Sequence, residues 1–310
     1  YVISIIQVCK LSTTHRLVLM KIIDCTSFYS EHMMYEVRLN ILNDKVDKFI
    51  VTESTYSHSG EKKKLNFDIN NYPKFKDKIV YIVIDREPDG IVEENNNPTL
   101  QRSNSLKRIA LSYDESLKAL KDVDDNDFIM LSDNDEIPNL NSSKFLNNKN
   151  DIVLFNQLFF YYKFNLLYDK MIWPGTKGCK KSKLKSLSWL RNIKLRKYPF
   201  WRLDTLFSET KQINLNIIDD GGWHFTNLKT PEDMYKKFMN FGHHDEFRLS
   251  GLTIEKIRDK VKKRELFYDH FADQSSANKW ESNYKLKKVN LDLLPKFLIQ
   301  NKDYYNEWFD

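Results

Sequence analysis

A chain of 310 residues, 41% apolar and 30% charged, is long enough for one large domain or two ordinary ones and can bury a sizeable core. Its 49 basic and 43 acidic residues leave a net charge of +6, a mild excess that does not call for nucleic acid as a partner and suits an anionic substrate. Cys9, Cys25 and Cys179 form no CxxC pair and argue against a disulfide framework, and no apolar run reaches the ~20 residues of a membrane-spanning helix.

The first nineteen residues lack a signal-type apolar stretch followed by a small-residue cleavage site, and Met20 stands just before the first convincing strand. Residues 1–19 are therefore expected to be a poorly ordered leader or upstream segment, and the protein to be cytoplasmic. Residues 21–26 read as a strand. Ser30 offers an N-cap for a helix over 30–43, in which Met33, Met34, Val37, Ile41 and Leu42 form a core-facing stripe. Glu31, Glu36 and Arg38 around that stripe read as surface ion pairs. A second strand, 48–54, ends in Glu53, and a third covers 79–84. The run Lys62-Lys63-Lys64 reads as a solvated face. Beyond an Asn-rich loop, residues 99–123 carry a long amphipathic helix with apolar positions at threes and fours. Gln101 and Arg102 stand at its start, where main-chain N–H groups favour an anion. The Arg102 fork can grip phosphate there, or pair with a nearby carboxylate.

The apolar strand 127–132 then runs straight into Asp133-Asn134-Asp135-Glu136, an Asp-x-Asp motif. Asp133 and Asp135 are two apart, so on an extended backbone they point the same way. Hard oxygens so paired suit Mg²⁺ or Mn²⁺, and a metal there can hold a diphosphate. The plainer reading is a solvated acidic turn. An EF-hand loop does not fit: counted from Asp133, the sixth position is Pro138 and the twelfth Lys144. A further strand at 152–162 completes an alternation of strands and helices. That is the α/β pattern, with ligands expected at the carboxyl ends of the strands.

The composition then shifts. Residues 177–197 hold nine basic side chains and no acidic one, among Trp173, Trp189, Tyr198 and Trp201. Such a mixture can bind single-stranded nucleic acid, hold a pyrophosphate and stack on sugar rings, or form a mobile surface loop. In Asp219-Asp220-Gly221-Gly222-Trp223-His224-Phe225, the glycines permit a tight turn and close approach of a ligand. His224 is a candidate metal ligand or acid/base group, or a hydrogen-bonded structural residue. A helix over 231–241 opens on Pro231 behind Thr230. His243, His244, Asp245 and Glu246 follow, then a charged helix at 254–267. Residues 251–310 read as a helical extension packed on a domain that spans 20–250.

Several of these stretches together resemble glycosyltransferase family 17, the family of the β-1,4-mannosyl-glycoprotein 4-β-N-acetylglucosaminyltransferases. The likeness rests on Glu36-Val37-Arg38-Leu39-Asn40, Phe49-Ile50-Val51-Thr52-Glu53-Ser54 with Ser59-Gly60, Gln101-Arg102, Ser132-Asp133-Asn134-Asp135-Glu136-Ile137-Pro138, and Gly222-Trp223-His224-Phe225 with Thr230-Pro231-Glu232. Asn134 departs from the hydrophobic residue usual between the two aspartates, and the last sixty residues match poorly. The resemblance implies an α/β fold of GT-A type, a central mixed sheet flanked by helices that binds a nucleotide sugar. It implies inverting transfer of a sugar, with UDP-N-acetylglucosamine as donor, Mn²⁺ or Mg²⁺ as cofactor and a glycan or glycoprotein as acceptor, and no nucleic-acid partner. By position, Asp133 would contact ribose or metal, Asp135 and His224 the metal, Glu53 the nucleotide and Arg102 the phosphates. Inversion needs a carboxylate to take the acceptor's proton. Asp220 and Asp245 are the candidates, with Glu246 and Glu136 as alternatives. A non-catalytic carbohydrate-binding protein on the same fold is the other reading.

Overall fold

The computed structural model describes residues 20–94, 97–199, 201–240, 244–272 and 277–310; the expected leader at 1–19, with Cys9, lies outside them. The first half alternates as expected: β1 (Ile22–Ser27), α1 (His32–Leu42), β2 (Lys48–Ser54), β3 (Ile79–Ile84), α2 (Pro98–Asp114) and β4 (Phe128–Ser132). The four strands are parallel, in the order β3-β2-β1-β4.

Period-two alternation explains why helices cover both faces. Ile22, Phe49, Val51, Phe128 and Met130 face one core, which Met34, Tyr35, Val37, Leu39 and Leu42 of α1 complete. Ile23, Cys25, Ile50, Ile129 and Leu131 face the other, beneath Tyr113 of α2. Arg38 is not the surface residue expected. It is fully buried and grips Asp24 of β1 through two bonds of 2.7 and 2.5 Å.

After β4 the chain turns through β5 (Glu136–Pro138), α3 (Ser143–Leu146), β6 (Ile152–Tyr161), β7 (Leu166–Leu167), β8 (Trp173–Lys180), α4 (Leu187–Asn192), β9 (Leu215–Ile218), β10 (Gly222–Thr226), α5 (Pro231–Asn240), α6 (His244–Leu249), α7 (Ile254–Lys263), β11 (Lys287–Lys288) and α8 (Lys296–Gln300). Antiparallel β8 joins β4 to β6, so the whole is an α/β protein with a mixed sheet in the order β11-β7-β6-β8-β4-β1-β2-β3.

Three expectations change in the structure. The stretch 177–197 is a loop only in part: it begins inside β8 and contains α4, whose Leu187 and Leu190 pack into the second core, and only beyond Asn192 does it run into a loop. The helix expected over 99–123 is α-helical only to Asp114 and continues as a 3-10 turn, Glu115–Leu120. In the tail, β11 pairs with β7, and Leu294, Leu298 and Tyr305 enter the core beneath α1.

Candidate active site

The chain leaves β1 towards β2 and β3 on one side and returns to β4 on the other. This makes the gap between the carboxyl ends of β1 and β4 the switch point where α/β sheets hold ligands. A cavity of about 400 Å³ opens there. Ser27, Phe28, Tyr29 and Glu31 line it from behind β1, Thr52 and Ser54 from β2, and Asp133, Asn134 and Asp135 from behind β4.

Its floor is the acidic turn. The Glu136 N–H donates to the Asp133 carbonyl (3.0 Å), and the Glu136 carboxylate accepts from the Asp133 N–H (3.0 Å). Arg38 holds this turn from the α1 side, donating to the Glu136 carbonyl at 2.5 Å. From the α4 side, Arg191 forks onto both Glu136 oxygens (2.8 and 2.9 Å) and reaches Asp133 Oδ2 at 2.8 Å. The Tyr113 hydroxyl donates to Asp133 Oδ1 (2.7 Å), and the Trp173 indole N–H donates to Glu136 Oε1 (2.7 Å). Burial raises the Asp133 carboxyl above its usual range, helped by Glu136 and Asp135 and opposed by Arg191. Burial acts on Glu136 in the same sense, but Arg191 outweighs it and holds that carboxyl low. Charge-assisted bidentate pairing of this kind leaves Glu136 without a free oxygen for base work.

Asp135 is positioned differently. Strand β10 lies between β5 and β6, with His224 opposite Glu136, and the Phe225 N–H donates to the Asp135 carbonyl at 2.9 Å. That register sets His224 Nε2 3.4 Å from Asp135 Oδ1, with Lys237 Nζ 3.9 Å from Oδ2. Burial pushes the Asp135 carboxyl up, yet His224 and Lys237 together hold it well below the usual carboxylate range. His224 stacks on Phe159 and against Trp173, and its buried Nδ1 has no hydrogen-bond partner among the described residues.

No three His, Cys, Asp or Glu side chains converge as a cation site among the described residues. The donor set that comes nearest is Asp135 Oδ1 with His224 Nε2, both on the cavity wall. One carboxylate and one imidazole at this spacing fit Mg²⁺ or Mn²⁺, which take their remaining ligands from water and substrate phosphate. Asp133, the third expected ligand, has its oxygens engaged by Tyr113 and Arg191.

The other expected residues divide. Arg102 lines the cavity. Glu53 does not: β2 turns Thr52 and Ser54 into the cavity and Glu53 away. Its buried carboxylate accepts from Lys63 Nζ (2.5 Å), the Asn66 and Phe67 N–H groups (2.8 and 3.0 Å) and the Tyr81 hydroxyl (2.8 Å). Asp220 lies outside the cavity lining, at the turn before β10, and accepts from the Ser142 hydroxyl at 2.7 Å. Asp245 falls on α6, but its side chain lies outside the described residues. Glu246 pairs with Lys279 at 2.7 Å.

Sequence reasoning missed Arg191, Glu31, Lys63, Arg108 and Lys237. Arg191 was one of nine basic residues, and only its place opposite the Asp133–Glu136 turn distinguishes it. Glu31 stood beside the N-cap, a position that ordinarily carries acidic residues. Among the described residues, Lys63, Arg102, Arg108 and Lys237 bring four cationic side chains to the cavity lining, of which Lys63 pairs with Glu53 and Arg108 forks onto Glu87.

Comparison with known proteins adds a class to this geometry. The sequence profile of glycosyltransferase family 17 matches residues 2–308. The chain therefore belongs to glycosyltransferase family 17. It is 23% identical to the human β-1,4-mannosyl-glycoprotein 4-β-N-acetylglucosaminyltransferase over 99% of its own length and 59% of that protein, and 23% identical to the rat enzyme of the same name over 97% and 57%. It thus spans less than two thirds of the relatives it matches. Among solved structures, the inositol-1-phosphate CTP transferase from T. maritima is similar over 53% of this chain and 72% of that one. The two share 12% identity, with a TM-score of 0.27.

Proposed function

We propose that the protein is a metal-dependent, inverting glycosyltransferase of GT-A type. It moves N-acetylglucosamine from UDP-N-acetylglucosamine to a glycan hydroxyl in β linkage. The observation that carries this reading is the switch-point cavity of a family 17 chain, whose lining combines Asp135 and His224 with Arg102 and Lys237. Arg102 and Lys237 attract the diphosphate, while Phe28, Tyr56 and Trp173 offer rings to base and sugar. Asp133, held by Arg191 and Tyr113, stands next to where ribose would lie. Asp135 and His224 would hold the divalent cation. Bound there, the cation neutralises charge that gathers on the departing diphosphate.

The proton acceptor expected at Asp220 or Asp245 falls in this reading to Glu31. Of the carboxylates lining the cavity among the described residues, Asp133 and Asp135 are committed as above. The Glu31 Oε2 accepts from the Tyr29 and Ser30 N–H groups (3.2 and 3.0 Å), and Oε1 lies 3.5 Å from Lys229 Nζ. Burial lifts this carboxyl, but Lys229 and Lys237 prevail and keep it ionised. Glu31 also lines an adjoining groove of about 180 Å³, which suits an acceptor. As the acceptor oxygen bonds to the anomeric carbon and the bond to the diphosphate breaks, the hydroxyl proton passes to Glu31.

The test is turnover of a panel of nucleotide sugars with Mn²⁺ and a mannose-containing glycan. UDP-N-acetylglucosamine should be the preferred donor. Glu31→Gln should keep donor affinity and lose about 10²-fold or more in kcat. The same loss in Asp245→Asn, with Glu31→Gln active, moves the base to Asp245. No turnover or binding of any nucleotide sugar overturns the reading.

A further inference from the structure

The segment between α4 and β9 is pinched at its base. The Lys194 N–H donates to the Thr210 carbonyl at 2.9 Å, and the Trp189 indole N–H to the Glu209 carbonyl at 2.8 Å. Inside, Tyr198 is buried, with the cationic heads of Arg196, Arg202 and Lys211 lying 5.9, 5.3 and 5.9 Å from its ring centre. Asp204 ties Arg202 to Lys211 at 2.7 and 2.6 Å. The loop therefore packs on itself, and what it turns outward is set by that packing.

Outward it shows Trp201, Leu203, Leu206 and Phe207, exposed by 69%, 72%, 73% and 89%. Single exposed apolar residues are ordinary on a protein surface, but four within seven positions are not. Residues 194–211 also carry five basic side chains against two acidic ones, and Lys194, Arg196 and Lys197 are exposed. Trp, Leu and Phe above a collar of Lys and Arg match the boundary between headgroups and acyl chains.

We propose that this loop docks the protein on an anionic lipid surface. Leu203, Leu206 and Phe207 enter the acyl boundary, and Arg196 and Lys197 lie at the level of the lipid phosphates. The proposal does not depend on the sugar-transfer reading, because it uses none of the cavity residues.

The test is co-sedimentation of the whole protein with vesicles of phosphatidylcholine alone or with about one third phosphatidylglycerol. Binding should be at least about tenfold stronger to the anionic vesicles and weaken with salt. The double variant Leu206→Asp with Phe207→Asp should lose at least about tenfold. Its circular dichroism and melting should be unchanged, since both side chains are exposed. Arg196→Glu with Lys197→Glu should abolish the preference for anionic vesicles. Wild type that binds neither vesicle overturns the proposal, as does a double variant that binds like wild type. So does wild type that takes up single-stranded polynucleotide in preference to vesicles, or a double variant whose only change is in self-association.

Discussion

Two arginines set the acidic turn: Arg38 through its main-chain carbonyls, and Arg191 through its carboxylates. Arg38 is the more costly to lose, because its other partner, Asp24, is buried in β1 with no water to replace the guanidinium. Arg38→Met should lower the free energy of unfolding by about 3–5 kcal/mol. Arg38→Met combined with Asp24→Asn should recover part of that loss, as read by denaturant titration. A single-variant cost within experimental error would contradict the role given to this pair. His58, on the cavity wall, bears on pH. Burial, together with Arg108 and His244 and against Glu31, brings its pKa down to about 4. The unfolded chain takes up a proton near pH 6.5, whereas the folded chain resists it until near pH 4. Stability should therefore be complete above that upper value and fall as pH drops between the two, by at most ~3 kcal/mol. His58→Gln should flatten that part of the stability–pH curve; an unchanged slope would assign the acid sensitivity elsewhere.

At the scale of elements, the site depends on how closely β10 approaches β5. Gly222 has φ +112, and a Cβ there would lie 2.2 Å from the Ile137 carbonyl oxygen. The glycine was expected to make room for a ligand; it makes room for the neighbouring strand. Gly222→Ala should cost about 1–3 kcal/mol in stability and reduce activity, because it shifts His224 against Asp135. Wild-type melting and kcat in this variant would refute the register argument. Legibility follows length and periodicity. Strands β2 and β3 are legible to the residue because each is an unbroken run rich in β-branched and aromatic residues, buried on both faces in β2 and half-buried at the sheet edge in β3. Strand β5 has three residues, and β8 contains Pro174, Gly175 and Gly178, so neither shows a strand's pattern. A Cβ at Gly175 would lie 1.9 Å from the Gln157 side-chain oxygen across the β8–β6 contact, so a larger residue there would have to displace that side chain. Helix α4 is six residues long and reads as part of a basic run. The residue pair at Asp135 and His224 was named in advance, yet what brings it together is the sheet: β10 inserted between β5 and β6. Arg191 acquires its meaning from a partner 55 positions away, a distance that local pattern does not reach.

For the whole molecule, parallel strands β1 to β4 create the crevice, β10 brings His224 to its wall, and α4 braces the acidic turn through Arg191. Among the described residues, no helix is long and apolar enough to cross a membrane. Both halves build the cavity, since β1 and β2 line one wall while the acidic turn and β10 supply the other. The central claim is that this crevice binds a nucleoside diphosphate through a cation held at Asp135. The most direct measurement is calorimetric binding of UDP to wild type and to Asp135→Asn, each with and without Mn²⁺. Wild type should bind at least about tenfold more tightly with Mn²⁺, and the variant should lose that gain while keeping its fold. UDP affinity that is indifferent to Mn²⁺ in wild type, or a gain that survives in Asp135→Asn, would contradict the account.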